Sequence, residues 1–483
     1  MQSKRALPHD CYGPAMDLSF GSLPLSPALL TAVASLGYER MTPIQAASIP
    51  LLLAGRDVIG QSQTGSGKTA AFALPLLTRV SLEQRQLQAL VLCPTRELSA
   101  QVARELRKLG RGHASLQVLV LAGGEPLRPQ ANALERGVHI VVGTPGRVLD
   151  HLTRETLDLR QVECVVLDEA DRMLDMGFAD EMEGILSALP ETRQTVLFSA
   201  TFPATIEAIS RKYQRTPERV TISASATSEA STIEELVLML EQEHKLVALR
   251  STLEQHAHES ALVFANQKLS VAEIDRALRD AGVSVGCLHG DLEQFERDAV
   301  LAKFRNGSTR VLVATDVAAR GIDVESLDLV VNYDLPVKPE IYVHRIGRTG
   351  RAGKAGLAVS FANQREKPKL KAIEELMQRA LPRRPFAPRD RGELAEPTQE
   401  LARDAKMTTL KIGGGRKQKV RPGDILGALT GEAGGLPGAD VGKIEIHDNF
   451  SYVAVSSSVS RDALKSLSTG NIKGKRFVVT LVK

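Results

Sequence analysis

"VVLDEADRML" (165–174) ends a run of apolar, β-branched residues with Asp168, Glu169 and Asp171 crowded into four positions. Like charges at the end of a buried strand need either water or a counter-cation. A solvated strand end leading into an acidic helix start meets the first need, because carboxylates suit the helix dipole. The second need asks for a partner elsewhere in the chain. About a hundred residues upstream, "SQTGSGKT" (62–69) joins the strand-like "DVIGQ" to the helix-like "AAFALPLL". That strand-loop-helix context lets backbone N–H groups converge on phosphates. Thr64, Gly65, Ser66 and Gly67 would form the cradle, Lys68 would reach the β- and γ-phosphates, and Thr69 would hold Mg²⁺. Ser62 stands where the G-x-x-x-x-G-K-[ST] pattern has its first glycine, so the chain enters this turn without positive φ. Ligands of open parallel sheets bind beyond the carboxyl ends of the strands, where both segments lie. Asp168 is then the expected Mg²⁺ contact and Glu169 the residue that orients or deprotonates water.

The 483 residues exceed one ordinary core and suggest three domains. A composition of 43% hydrophobic but 4% aromatic residues, without Trp, favours α/β domains built from Val, Ile, Leu and Ala. No stretch is apolar enough to cross a bilayer, and the first twenty residues lack a secretory pattern, which places the expected location in the cytosol, away from membranes. Cys11, Cys93, Cys164 and Cys287 lie far apart with no C-x-x-C pair, so buried reduced thiols are expected rather than zinc or disulfides. Residues 406–483 carry 13 Lys and Arg against 6 Asp and Glu, whereas the first 405 carry 48 against 51. A compact basic tail on a near-neutral body is the footprint of a nucleic-acid reader.

Along the chain, short runs recur between amphipathic stretches: "DVIGQS", "LVLCP", "VLVLAGG", "IVVGTP", "VVLDEA" and "VLFSAT", then "LVFAN", "VGCLHG", "VLVATD", "LVVNYD" and "LAVSFA". Repeated βα units imply parallel sheets covered by helices on both faces. A small-residue polar segment interrupts the series at 223–232 as a hinge, and a Pro- and charge-rich segment follows at 381–405 as a linker. The expected organisation is therefore a short N-terminal tail (1–16), an α/β domain (17–222), a second α/β domain (233–380) and a C-terminal module (406–483). In that module "TTLKI", "KIEIHD", "SYVAVSS" and "RFVVTLV" alternate with two helix-like segments in the order β-α-β-β-α-β, which is ferredoxin-like and the order of RNA-recognition motifs.

With these segments in order, residues 17–380 resemble the core of the DEAD-box ATP-dependent RNA helicases. The resemblance rests on "GYERMTPIQ" (37–45) with Phe20 upstream, "SQTGSGKT", "PTREL" (94–98), Gly123-Gly124, "TPGR" (144–147), "DEAD" (168–171) and "SAT" (199–201). It continues through "LVFAN" (262–266), "HGD" with "QFER" (289–297), "VATDVAARGID" (313–323) and "HRIGRTGR" (344–351). The resemblance implies two tandem RecA-like domains, with Gln45 reading the adenine edge and Tyr38 stacking on it. Further nucleotide contacts fall on Gly321 and Asp323, and RNA backbone contacts on Thr95, Arg96, Gly124, Thr144, Arg147, Gly290, Arg297, Thr315 and Asp316. Asp171, Ser199, Thr201 and His344 would couple ATP state to strand separation. Arg348 and Arg351 would neutralise the γ-phosphoryl transition state from the second domain, so that RNA bridging both domains switches hydrolysis on.

In the tail, Phe450 and Tyr452 occupy the two stacking positions of an RNP1-like strand, and Lys411 replaces the aromatic usual in RNP2. "VRPGDILGALTG", "GADVGKI" and "IKGKRFVVTLVK" are similar to the C-terminal domain of the bacterial DbpA-type branch of that family. That similarity implies anchoring to structured large-subunit ribosomal RNA and a role on pre-ribosomal particles; nothing in the mechanism requires an oligomer. Two other readings use the same residues differently: a P-loop ATPase that remodels protein partners, and an RNA-binding chaperone without ATP turnover.

Overall fold

A computed structural model of the chain describes residues 18–62, 65–222, 233–256, 258–319, 327–350, 355–386, 404–431 and 435–482. Thr64, Gly321, Asp323 and Arg351 lie outside the described residues. The chain divides into two compact units, Met1–Ala230 and Ser231–Lys483.

The first unit is built on β1 (Val58–Gln61), β2 (Ala89–Leu92), β3 (Val118–Leu121), β4 (Ile140–Gly143), β5 (Cys164–Leu167), β6 (Gln194–Ser199) and β7 (Glu218–Thr221). They form one sheet in the order β3-β4-β2-β5-β6-β1-β7, all parallel. The apolar runs look continuous because both faces are covered. Val91, Val142, Val166, Val196 and Phe198 point into one core while Leu90, Val141, Val165, Leu167 and Leu197 point into the other. Side chains alternate along a strand, so each run feeds two helical layers at once.

The second unit contains two sheets. The strands β8 (Ile233–Met239), β9 (Ala261–Phe264), β10 (Val285–Leu288), β11 (Val311–Ala314), β12 (Leu329–Asn332), β13 (Gly356–Ala362) and β14 (Arg383–Pro385) make a parallel sheet in the order β10-β11-β9-β12-β13-β8-β14. The segment from residue 381 was expected to be linker throughout, yet β14 pairs with β8 through Arg383↔Val237. Its proline and three exposed residues hid it in the sequence, and both are tolerated because β14 is an edge strand. The last sheet joins β15 (Met407–Ile412), β16 (Val441–Ile446), β17 (Ser451–Ser456) and β18 (Val479–Leu481) in the order β16-β17-β15-β18. Its antiparallel pairs and the intervening helices Pro422–Thr430 and Ser460–Thr469 complete the ferredoxin-like arrangement. No described helix is long and apolar enough to cross a membrane.

Gly60 in β1 shows how closely the first core is filled: a Cβ there would lie 2.2 Å from the ring of the fully buried Phe198. The ring is confined in turn by Phe72, with centroids 5.9 Å apart. Overpacking of a filled core costs about 1–3 kcal/mol, so Gly60→Ala is expected to lower the melting temperature of the first unit and leave the second unit's transition in place. An unchanged first transition in calorimetry would show that the ring can yield.

Candidate nucleotide and RNA site

The strand order sorts the first unit's loops into two neighbouring groups. The loops after β5, β6 and β1 carry the acidic cluster, "SAT" and the phosphate loop; those after β3, β4 and β2 carry Gly124, Thr144 and Thr95. The residues expected to bind nucleotide and those expected to contact RNA therefore occupy adjacent stretches of one sheet edge.

In the phosphate loop Gly65 and Gly67 have φ of 82° and 94°, the left-handed region that the missing Cβ permits. The helix Lys68–Arg79 starts directly after Gly67 and turns its free N–H groups toward the loop. Lys68 is buried and its Nζ donates to the Ser62 carbonyl at 3.1 Å, while the Ser62 and Ser66 hydroxyls lie 2.9 Å apart. The substituted position, Ser62, thus ties the loop closed with its side chain. Gln45, expected at the adenine edge, spends its amide inside the protein. Its Oε1 accepts from the Thr42 N–H at 2.9 Å and its Nε2 donates to the Gly67 carbonyl at 3.0 Å. Phe20 is buried and meets Tyr38 edge-on at 6.2 Å, so it supports that ring from beneath.

Glu169 adopts φ 54°, an uncommon conformation for a non-glycine residue, and begins the helix Ala170–Asp175. Its Oε2 accepts from Arg172 Nη1 at 2.9 Å, with both side chains buried. Arg172 is a site residue that no motif marks; its position three residues beyond Glu169 on a helix start is the local signal for the pair. Asp171 Oδ2 accepts from both the amide and the hydroxyl of Thr201, at 2.9 and 2.8 Å, and Ser199 Oγ donates to the Thr201 carbonyl at 2.6 Å. The Ser62 amide also donates to the Ser199 carbonyl at 3.2 Å. Three expected coupling residues and the phosphate loop are therefore one hydrogen-bonded assembly.

Asp168 is 3% exposed and its Oδ1 has no hydrogen-bond partner. Burial pushes its pKa up to about 7, opposed by the charge of Lys68 and reinforced by that of Glu169. An orphaned carboxylate oxygen near an ammonium and a phosphate loop fits a hard cation with oxygen ligands. The same acidic pair, after burial itself, pushes the Cys93 thiol well above its ordinary range. Cys93 and Cys164 are buried free thiols as expected, and Cys287 is half-buried.

On the loops expected to face RNA, Thr95 and Thr144 each precede a helix, and Thr95 Oγ1 accepts from the Leu98 N–H at 3.2 Å. Gly124, at φ 74°, leaves room for Arg96; a Cβ would lie 2.0 Å from its Nη1. Arg147 Nη1 donates to Gln130 Oε1 at 2.7 Å and to the Glu125 carbonyl at 3.0 Å, and His151 Nε2 lies 3.1 Å from the same Gln130 oxygen. Gln130 and His151 carry no local signal, because their contact exists only once the helices Leu127–Glu135 and Pro145–Thr153 meet.

In the second unit, Gly290 is exposed beyond β10, and Arg297 reaches the Ala318 carbonyl beyond β11. Thr315 Oγ1 accepts from the Ala318 N–H at 3.4 Å. Asp316, expected to face RNA, gives both oxygens to Arg345, at 2.6 and 2.7 Å. Arg345 also donates to Asn332 Oδ1, the Asp334 carbonyl and Asn266 Oδ1, so it ties together the ends of three strands. His344 and the buried Arg348 flank it around the C-terminal end of the helix Pro339–Ile346. In the last sheet Lys411 Nζ lies 4.9 Å from the centroid of Phe450, which stacks on His447 at 4.5 Å. The second stacking position is not open: Tyr452 is 2% exposed.

Comparison with known proteins accounts for this arrangement. Residues 42–209 match the DEAD/DEAH box helicase family, 244–353 the helicase conserved C-terminal domain, and 409–481 the DbpA RNA binding domain. The chain is 48% identical to the ATP-dependent RNA helicase DbpA of Escherichia coli over 460 residues, covering 95% of this chain and 98% of the other. This chain belongs to the DEAD-box ATP-dependent RNA helicases. The CshA helicase of Bacillus anthracis is 46% identical over 81% of this chain and 74% of its own. The structure of S. cerevisiae Dbp5 bound to RNA and ADP BeF3 superposes with a TM-score of 0.70 at 34% identity, over 76% of this chain and 96% of that one.

The raised pKa of Asp168 has a stability consequence in the nucleotide-free protein. A carboxyl that keeps its proton longer in the folded than in the unfolded state contributes stability that is full below the unfolded pKa, near 4, and lost as pH rises through about 7. Asp168→Asn removes the titration, so its melting temperature should exceed that of the parent by more at about pH 8 than at about pH 5. An equal offset at both pH values would show that burial does not perturb this group.

Proposed function

We propose that this helicase anchors itself to structured large-subunit ribosomal RNA through its C-terminal module and opens neighbouring duplexes during assembly of pre-ribosomal particles in the cytoplasm. The observation that carries the reading is the DbpA RNA binding domain match over 409–481. Charge supports it: Arg416, Lys417, Lys419, Lys473, Lys475 and Arg476 are all exposed on two loops of the module. Lys473 Nζ donates to the Lys419 carbonyl at 2.9 Å, so the two loops form one basic edge. Such an edge holds phosphates, and base specificity comes from whatever the loops present beside them.

The ATP chemistry follows from the site's own groups. Phosphates lie in the loop of Gly65 and Gly67 over the N-terminus of the helix from Lys68, whose ammonium leaves the Ser62 carbonyl for phosphate oxygen. Asp168 and Thr69 would hold Mg²⁺, largely through water; when bound it neutralises charge on the β- and γ-phosphates. Glu169, held by Arg172, takes a proton from the attacking water as its oxygen bonds to the γ-phosphorus and the bond to ADP breaks. Arg348 and Arg351 neutralise charge on the phosphoryl group in flight. Thr201 and Ser199 pass the state of Asp171 to the rest of the first unit.

Two variants test the two halves. Glu169→Gln keeps the shape and the Asp168 contact while removing the base, and should lower RNA-stimulated turnover by at least about 10²-fold with ATP and RNA binding little changed. Lys417→Glu combined with Lys475→Glu should raise the half-saturating concentration of a large-subunit ribosomal RNA fragment by about tenfold or more at fixed salt, and that of an unrelated duplex far less. Equal losses for both RNAs would contradict anchoring by the module, and surviving turnover in the glutamine variant would contradict Glu169 as the base.

A further inference from the structure

Two of the loops expected to face RNA are joined beneath their surface by a single side chain. Gln130, on the helix Leu127–Glu135, is 4% exposed and belongs to none of the segments that carry the family resemblance. Its amide is shared between the loops. Nε2 donates at 3.3 Å to the carbonyl of Ala122, which leads into Gly123-Gly124 after β3. Oε1 accepts at 2.7 Å from Nη1 of Arg147, in "TPGR" after β4.

The orientation of that amide is itself fixed. His151, fully buried on the helix Pro145–Thr153, sets Nε2 3.1 Å from the same Gln130 oxygen and Nδ1 2.8 Å from Thr156 Oγ1. An amide oxygen only accepts, so the imidazole proton sits on Nε2. Burial holds the His151 pKa below its ordinary value and the Arg147 charge adds to that, so the ring is neutral. A flipped Gln130 amide would turn its NH₂ onto both the guanidinium and the imidazole N–H, and would leave the Ala122 carbonyl without its donor. Arg147 is thereby held by one edge: Nη1 carries the bonds to Gln130 and to the Glu125 carbonyl at 3.0 Å, Nε faces Asp150 at 3.9 Å, and Nη2 is left for phosphate. The turn on the other side of the bridge carries a second guanidinium, because Arg96 fills the space that a Cβ at Gly124 would take.

We propose that Gln130 is a positioning residue for the RNA strand: by bonding to both loops at once it holds Arg147, and the glycine turn beneath Arg96, at one spacing, so that phosphates of a bound strand are gripped together. The proposal rests on the reading of Arg147 as a phosphate contact. Gln130 is buried and touches no RNA, so its effect passes through Arg147. A guanidinium ordered in advance loses little freedom when phosphate arrives. Without the bridge, RNA binding itself has to order that side chain and set the two loops.

The test measures binding of a labelled single-stranded RNA of unrelated sequence to the full-length chain, with a saturating non-hydrolysable ATP analogue, over a series of salt concentrations. Arg147→Ala should weaken binding about tenfold and make the slope of log K against log salt shallower by about 0.7, the value of one single-strand phosphate contact. Gln130→Leu should weaken binding by about three- to tenfold, and the double variant should bind far more tightly than the product of the two losses, because both changes remove one interaction. Gln130→Glu keeps size and shape but turns the bridge into a charge pair that holds Arg147 back from phosphate, so it should match Arg147→Ala in both affinity and slope. ADP binding without RNA reports that the first unit of each variant is folded, and the glutamate variant decides the matter if the leucine variant is not. Losses that multiply in full, or Gln130 variants that bind RNA as the parent does, would overturn the proposal. An Arg147→Ala protein with the parent's affinity and slope would overturn the reading of Arg147 beneath it, and the proposal with it.

Discussion

Parallel pairing of β5, β6 and β1 sets three loops side by side at one end of a sheet buried on both faces, and the proposed nucleotide chemistry depends on that constraint. Lys68, Asp168, Glu169 and Asp171 are buried there, so each needs a partner in the protein or in the ligand. Asp171 finds Thr201, Glu169 finds Arg172, and Lys68 finds the Ser62 carbonyl. Asp168 is left with an oxygen unpartnered. An uncompensated carboxylate costs stability in the free protein, and a cation bound there, as proposed, would offset that cost.

The sequence disclosed the parts of this design that are local. Glycines at a strand-to-helix turn, carboxylates at a strand end and apolar runs of strand length each carry their reason within a few residues. The parallel architecture followed from βα alternation, and the ferredoxin-like module from its change of period. What stayed hidden depends on partners distant in sequence. Arg345 looked like one basic residue among several, yet it is a buried hub because Asn266, Asn332, Asp334 and Asp316 converge on it from different strands. Gln130 orients Arg147 and His151 across 17 and 21 residues. β14 is three residues on an edge strand, too short and too polar to leave a pattern.

Tyr452 carries the most instructive difference. The RNP1-like stacking position expected for Tyr452 needs an open sheet face; in the structure it lies on the side opposite Val453 and the module's core, but alternation says only which side of a sheet a residue takes. Whether that side meets RNA, water or another domain depends on Arg305 and Asn306, more than a hundred residues away. Phe450, near the end of the same face, keeps a half-exposed ring held between His447 and Lys411. The module's basic loops lie on separate segments from the strands that touch Arg305 and Asn306, so that contact and the exposed charge are compatible in one small domain.

The central claim is that the carboxylates at β5 and the segment after β6 are one mechanical unit, so that the state of the nucleotide reaches the RNA side through Asp171 and Thr201. Thr201→Val removes the hydroxyl bond to Asp171 at 2.8 Å and keeps the amide bond at 2.9 Å, leaving Lys68, Asp168 and Glu169 untouched. ATP hydrolysis and duplex separation measured together on this variant are the most direct test. The account predicts that RNA-stimulated hydrolysis persists while strands separated per ATP consumed fall several-fold. Hydrolysis and separation that decline in parallel, or that both stay at the parent's level, would contradict it.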